Sequence, residues 1–497
     1  MLLLIAQQKP KKAAKAMRAI LAANSEHEQW LHRDLFFAGS CLAENIKELK
    51  VADSSLTVEI LEKLVELEVR DEALVGERVR SQVFQILCSM SETEFEAQTL
   101  QLLKARGVDE NRLWRYQAAL GEKEVAISFL LLRLEDENED VRGEAARALG
   151  GLGNASERVI NALLLRLEDG DYSVRSSAAR ALGRFGKASE AIIGNLLPRL
   201  EDGNNSVRSS AAEAMGNLGN ASEAVISALM LRLEDGDNSV RRKAASALGQ
   251  LGNASEAVIN ALVRGLEDED NSVRREAASA LGHLGNASQA VIGALLRGLE
   301  NGDYPVRREA ASALARLENA SGAAINALLR GLENRDNSVR GEAASALSQL
   351  GNASEAVINA LLRGLENRDN FFLVRASAAH ALARLGNPSE AVINALLRGL
   401  EDEENFVGCA AAYALGNLGN ASETVINALM LRLEDGEDSV RSSAASALAN
   451  LGLKSREVLP AVVQWIDRHQ DAKYLGSGIN VLWDLVAGEG HRSPVGF

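Results

Sequence analysis

The sequence predicts an all-α protein: an α-solenoid in which two-helix units of period 33 stack into a right-handed superhelix. Three observations predict it. The stretch "NASEAVINALVRGLEDEDN", Asn253 to Asn271, returns almost unchanged at Asn352 to Asn370 and at Asn420 to Asp438. A Val-Arg pair recurs at Val141, Val174, Val207, Val240, Val273, Val306, Val339, Val374 and Val440, and Val407 keeps the register with Gly408 in place of arginine. Each step is 33 residues except the one into Val374, which is 35 because of the extra residues in "NFFLVR". Third, the 497 residues are 46% hydrophobic but only 4% aromatic, with 41 Gly and six Pro, which suits thin helices packed through Ala and Leu.

Each unit reads as a helix pair. In the first helix, Glu256 to Leu266, residues Val258, Ile259, Leu262 and Leu266 share one apolar face. The second runs from about Ser272 to Leu284 and carries Val273, Ala277, Ala278, Ala280, Leu281 and Leu284. So thin a pair cannot bury its own face and needs neighbours on both sides. Between units, "LGNAS" reads as punctuation. Gly and Asn suit the left-handed residue that ends a helix, and Ser is expected to cap the next one. The Asn-Ala-Ser triplets at Asn154, Asn220, Asn253, Asn286, Asn319, Asn352 and Asn420 are therefore read as structural rather than as sugar acceptors.

The pattern "LEDEDNSVRREAASALGHLG" resembles a HEAT repeat, in particular the short bacterial kind named for its similarity to phycobilisome lyase subunits. The hallmarks are an Asp five residues before the Val, the Val-Arg pair and the Ala-Ala…Ala-Leu-Gly run. Asp136, Asp169, Asp202, Asp235, Asp268, Asp402 and Asp435 hold the Asp position, and Asn301 and Asn334 depart from it. The resemblance implies an Asp–Arg ladder between adjacent repeats. Gly408 removes one arginine from it, so the junction around Asp402 is expected to be weak.

Ten units fill residues 121–452. Residues 1–120 lack the period and read as irregular helices, Lys11–Ala23, Ser25–Glu44, Ser55–Val69, Glu77–Met90 and Glu92–Arg106. Within them "WLHRDLFFAGSCLAEN", Trp30 to Asn45, resembles the helical stretch that follows the nucleotide-binding module of NACHT–HEAT proteins, which are NLR-like signalling ATPases. No GxxxxGK[ST] occurs in the chain, so the resemblance implies a sensor arm or fragment rather than the ATPase. Residues 453–487 read as a degenerate capping repeat, with helices Ser455–His469 and Asp471–Ala487 and with Trp465 and Trp483 closing the core. Residues 488–497 read as a flexible tail.

Chemistry is scarce. The net charge of −15 argues against nucleic acid and membrane surfaces. No apolar run reaches membrane-span length, and Cys41, Cys88 and Cys409 form no pair motif, so the chain reads as cytoplasmic. Only His27-Glu28 offers a His-Glu dipeptide, where the HEAT-like enzyme deoxyhypusine hydroxylase carries four. "DGDYS" and "DGDNS" open like calcium loops but lack the later ligands. No nucleophile set or phosphate loop is present, so no enzyme, metal or cofactor is expected.

Variation is concentrated three, six and ten residues after each Val, a single stripe on the second helix. In a solenoid the second helices line the concave face, so the stripe is the expected groove for a protein or peptide. Its candidate binding residues are Arg147, Arg180, Arg184, Lys243, His283, Arg316, His380, Arg384 and Tyr413. Six basic residues face five Glu along it, which favours a protein partner over duplex nucleic acid. The alternative is a phycobilin lyase-like subunit acting on phycobiliproteins, implied by the resemblance alone.

Overall fold

A computed structural model describes residues 5, 8–23, 25, 28–44, 49–70, 75–186, 188–317, 322–351, 353–470 and 474–487. His27, Asn319, Asn352 and the expected tail at 488–497 lie outside them. The described residues are helical throughout, with no strand among them. Contacts divide the chain into two compact units, residues 1–195 and 196–497.

The first unit opens with the helices Pro10–Leu21, Glu28–Leu31, Arg33–Ala43, Leu49–Ala52, Ser54–Val69, Glu77–Cys88, Glu96–Ala105 and Glu110–Ala119. Their core is closed by Met17, Leu42, Leu61, Leu64, Phe95 and Tyr116, all fully buried. The expected continuous helix from Ser25 to Glu44 is broken at His32, whose φ of 50° is left-handed. Capping bonds across the break explain it. The Glu28 carboxylate accepts from the Asp34 and Leu35 N–H groups, and the Asp34 carboxylate accepts from the Ser25 N–H and hydroxyl. Glu28 thereby satisfies backbone donors that a single straight helix would not leave open, and Asp34 ties the start of the segment back onto the second helix. The same unit then adopts the regular pairing in Lys123–Arg133 with Glu139–Leu152 and in Glu157–Arg166 with Tyr172–Arg184.

The second unit continues the pairs from Asn205–Leu218 to Asp438–Gly452 and ends on Val458–Arg468 and Leu475–Ala487. Successive second helices pack on one another as well as on their own first helix. Glycine makes the approach possible. A Cβ added at Gly249 would lie 2.8 Å from the Cα of Ala280 on the next second helix, and one at Gly416 would lie 2.7 Å from the Cα of Ala447. Repeats six, seven and eight carry Ala315, Ser348 and Ala383 at the same place.

The asparagine and serine of the linker divide their work differently from the expectation. Gly153, Gly219, Gly252, Gly285 and Gly419 take the left-handed conformation, at φ between 63° and 72°. Asparagine does not join them; its side chain folds onto the backbone. The Ser222 N–H donates to Asn220 Oδ1 at 3.0 Å, and Ser156, Ser255, Ser288 and Ser422 repeat the bond at 2.9–3.0 Å. The serines occupy N-cap positions, but the Ser156, Ser222, Ser255 and Ser422 side chains make no cap bond. Ser288 alone of these five does, accepting from Val291 N–H at 3.4 Å. The short Asn side chain places its carbonyl within reach of the N–H two residues on, the geometry of an Asx turn.

At the C-terminal end Trp465 is buried and sits against Gly478, where a Cβ would meet the indole at 2.5 Å. Trp483 does not close the core. It is 71% exposed, because Val481 takes the inward face of Leu475–Ala487 and leaves position 483 on the outer side.

Candidate functional site

The ladder frames the site by fixing how one repeat meets the next. Arg208 lies bidentate on Asp235 of the following repeat, with Nε–Oδ2 at 2.8 Å and Nη2–Oδ1 at 2.7 Å. Arg142–Asp169, Arg241–Asp268 and Arg375–Asp402 repeat the geometry at 2.7–3.0 Å. Each guanidinium also donates to a carbonyl of its own turn, as Arg208 does to Asp202 at 2.9 Å. Burial works against ionisation of Asp169 and Asp235. Only together do the arginine bonds, the Asp171 and Asp237 N–H groups and the charge of Arg166 and Arg232 outweigh it and hold both carboxyls below their usual range.

Where the pattern departs, the arginine finds another acid. Arg307 reaches Asp336 at 2.8 Å, past Asn334, and Arg274 lies 3.5 Å from Asp303, past Asn301. Asp402 is fully engaged by Arg375, so Gly408 does not weaken that junction. Its missing rung is the next one, at Asp435, which instead pairs with Arg432 of its own repeat at 3.3 Å. The ladder runs from arginine forward to the next repeat's aspartate, and that direction moves the gap by one unit.

The carboxylates of the "DGD" turns are already committed. Asp169 belongs to the ladder, and Asp171 and Asp237 cap their second helices by accepting from the N–H groups two and three residues on. Among the described residues no three His, Cys, Asp or Glu side chains converge as a metal site would require.

Of the stripe residues, those six and ten after each Val are exposed or half-exposed, whereas Ser177, Ser210 and Ala410 at the third position are buried. In the first unit Arg147, Arg180 and Arg184 are exposed, and Arg147 Nη1 donates to Ser177 Oγ of the next rung at 3.4 Å. In the second unit Lys243 is only half-exposed and pairs with Glu213 of the preceding rung, and Arg316 pairs with Glu309 of its own helix. Those two cations are neutralised within the chain, which a count of charges along the sequence does not show. His283 is exposed, with Nδ1 2.8 Å from the Ser279 carbonyl. His380 and Tyr413 meet across adjacent rungs with ring centroids 5.1 Å apart, and burial lowers the His380 pKa. Arg384 is exposed. The nine residues thus fall into a basic group in the first unit and, in the second, separate positions with one aromatic pair.

A feature outside the stripe was not anticipated. Phe371 and Phe372, brought in by the long repeat, meet at a tilt of 48° with centroids 4.3 Å apart, and Phe406 of the next repeat lies 5.7 Å from Phe372. The signal was legible: the 35-residue step and a Phe where other repeats write Ser.

Stacked two-helix repeats joined by an Asp–Arg ladder define a class of protein, and family comparison agrees with it. A family model described as HEAT repeats matches residues 127–194, 160–245, 193–282, 226–315, 292–383 and 358–449. These matches span well over half of the chain, and the protein belongs to the HEAT-repeat family. No curated protein matches the chain. Among solved structures it is similar to a Kap95:Nup1 complex at a TM-score of 0.56 and 14% identity, over 98% of this chain and 75% of that one. It is also similar to importin beta, at 0.51 and 15%, over 97% and 75%. For Kap121p the values are 0.50 and 14%, over 97% of this chain and 58% of that one. The chain therefore spans somewhat over half the length of Kap121p. At these identities the likeness is one of fold. No described helix is long and apolar enough to cross a membrane.

Proposed function

We propose that this HEAT-repeat scaffold binds a protein or peptide along the concave face lined by its second helices, using Arg147, Arg180, Arg184, Lys243, His283, Arg316, His380, Arg384 and Tyr413. The supporting observation is a contrast. Val, Ala and Leu of the second helices are buried and almost unchanging, while the exposed and half-exposed residues six and ten after each Val change at every rung. Arg147, Arg180 and Arg184 form its densest basic group and suit an acidic segment. His380 and Tyr413 supply an anchor for an apolar side chain. Kap95 in complex with Nup1, and Kap121p bound to the extreme C-terminus of the phosphatase Cdc14p, are neighbours in fold that hold other proteins.

The test is capture of partners from the source cell with the parent chain and with Arg180→Ser/Arg184→Asn. Other repeats carry Ser and Asn at these positions, so thermal stability should stay level. Affinity for the captured partner should fall by ~1–3 kcal/mol, most visibly at low salt. Equal binding by both proteins across a salt series would remove the stripe from consideration. A place as sensor arm of a NACHT–HEAT protein is supported by the Trp30–Asn45 resemblance, in which Trp30 is exposed. The lyase-like alternative is supported by the repeat resemblance alone, and a shift in phycocyanobilin absorption on mixing would favour it.

A further inference from the structure

The N-terminal edge of the second helices is polar in most repeats. Repeats three, four, five and seven read Asn-Asn-Ser or Asp-Asn-Ser just before the Val. There the edge is zipped from repeat to repeat: Asn205 Nδ2 donates to Asp237 Oδ2, and Asn238 Nδ2 to Asp270 Oδ2 at 2.6 Å. Repeat eight writes Phe371-Phe372-Leu373 in the same three places, and repeat nine puts Phe406 in the place of Ser. The side-chain cap is given up, and the zipper is reduced to the Phe371 N–H donating to Asn337 Oδ1 at 3.3 Å. The ladder below them is kept, since Arg375 still grips Asp402.

What replaces them is an open apolar surface. Phe371, Leu373 and Phe406 are 45%, 50% and 66% exposed, with Phe372 wedged between the other two rings. Beside the rings lies a hollow of about 350 Å³ edged by Arg368, Glu403 and Glu404. That is room for one large side chain. Asp402 is neutralised by Arg375, but Glu403 and Glu404 are exposed and, among the described residues, have no cation within ion-pair distance. Phe372 links the Phe371 and Phe406 rings across two repeats, and these two rings and Leu373 are left exposed. Such a patch marks a contact surface.

The charge at the rim decides the occupant. Arg368 offsets one of the two glutamates and leaves the rim with a negative excess, and a second copy of a molecule whose net charge is −15 would bring the same excess toward it. Nucleic acid would meet the same repulsion. We propose that the edge formed by Phe371, Phe372, Leu373 and Phe406 docks a peptide segment carrying one large apolar side chain flanked by Lys or Arg. The apolar side chain enters the hollow against the Phe rings, and the flanking cations lie on Glu403 and Glu404. This site is separate from the second-helix stripe and uses the opposite charge preference from its arginine group.

The test uses the full chain and a fluorescein-labelled peptide with one Phe between Lys pairs, followed by fluorescence anisotropy. Saturable binding is expected, weakened about tenfold or more by Phe406→Ser, which installs the residue other repeats carry. Glu403→Gln/Glu404→Gln should weaken binding and flatten its salt dependence. Replacing the peptide's Phe by Ser, or its Lys by Glu, should abolish binding. Arg180→Ser/Arg184→Asn should leave it unchanged, which separates this site from the stripe. Circular dichroism melts confirm that each variant is folded. The proposal is overturned if the peptide does not saturate, if its acidic version binds equally, or if Phe406→Ser changes affinity by less than about twofold. It is overturned equally if sedimentation shows a dimer that Phe406→Ser dissolves, since the patch then serves a second copy.

Discussion

Gly408→Arg should restore the missing rung. The site is prepared for it: a Cβ at Gly408 meets only the Leu400 carbonyl at 3.7 Å, an ordinary contact. Asp435 is already in place, its Oδ1 accepting from the Glu437 N–H at 3.0 Å as every ladder aspartate does from its own turn. Two terms add. Replacing Gly by a good helix former within Asn405–Leu418 is worth about 1 kcal/mol. The bidentate bond is worth about 1–2 kcal/mol, above the value of a surface pair because the equivalent Arg375 and Asp402 side chains are only 9% and 10% exposed. The sum is about 2–3 kcal/mol, or roughly a 30- to 150-fold slowing of amide exchange wherever local opening breaks this junction. Exchange is the better assay, because an array of repeats does not unfold as one two-state body. Protection should rise across 405–418 and 438–452. Gly408→Ala isolates the helix term, and Gly408→Arg in an Asp435→Asn background should fall back to it. If Arg protects no more than Ala, or keeps its gain without Asp435, the forward-reaching ladder is not what holds this junction.

Three further outcomes are expected. Gly249→Val should destabilise by ~1–3 kcal/mol despite better helix propensity, because its side chain would collide with the Ala280 backbone; a rise in thermal midpoint would refute the close approach. Asn253→Ala should cost ~1 kcal/mol in urea unfolding and Ser255→Ala much less, since the asparagine makes the linker bond; the reverse ranking would return the cap to serine. Acid should unfold the array through its aspartates. Bonds from Ser272 and Asn238, against slight burial, hold Asp270 down at about 2, and Asp169 and Asp235 also lie below their usual range. A folded pKa below the unfolded value of about 4 gives stability that is full above pH ~4 and lost as pH falls toward ~2. Melting points from pH 7 to 2 should therefore stay level and then drop. A steady decline beginning near pH 6 would place the titration elsewhere.

The repeat pitch was legible because each unit reuses one solution to one packing problem. Val, three Ala and Leu at fixed spacing define a face that only stacking can bury. The ladder was legible as a pair of residue types but not in its direction, which depends on the offset between neighbouring units, and so the weak rung was first placed at Asp402. The break at His32 was not legible. It rests on Glu28 and Asp34 reaching across six to nine residues to backbone donors, and helical periodicity carries no trace of that. Nor could sequence show that Glu213 and Glu309 neutralise Lys243 and Arg316, since one partner lies on another rung and the other two turns away.

The forward reach of the ladder also bears on how such a chain changes length. Arg208 needs only Asp235 ahead of it, and Arg241 needs only Asp268. Excising or duplicating one complete period between repeats that keep both the Arg and the Asp therefore reconnects each donor to an equivalent acceptor. Nothing elsewhere has to be rewired. Variation by whole modules is thus nearly neutral for folding, while a change of one or two residues, as before Val374, is absorbed locally and surfaces as new side chains at the edge. The architecture separates the two ways of evolving: modules alter reach, and small insertions alter what the surface can hold.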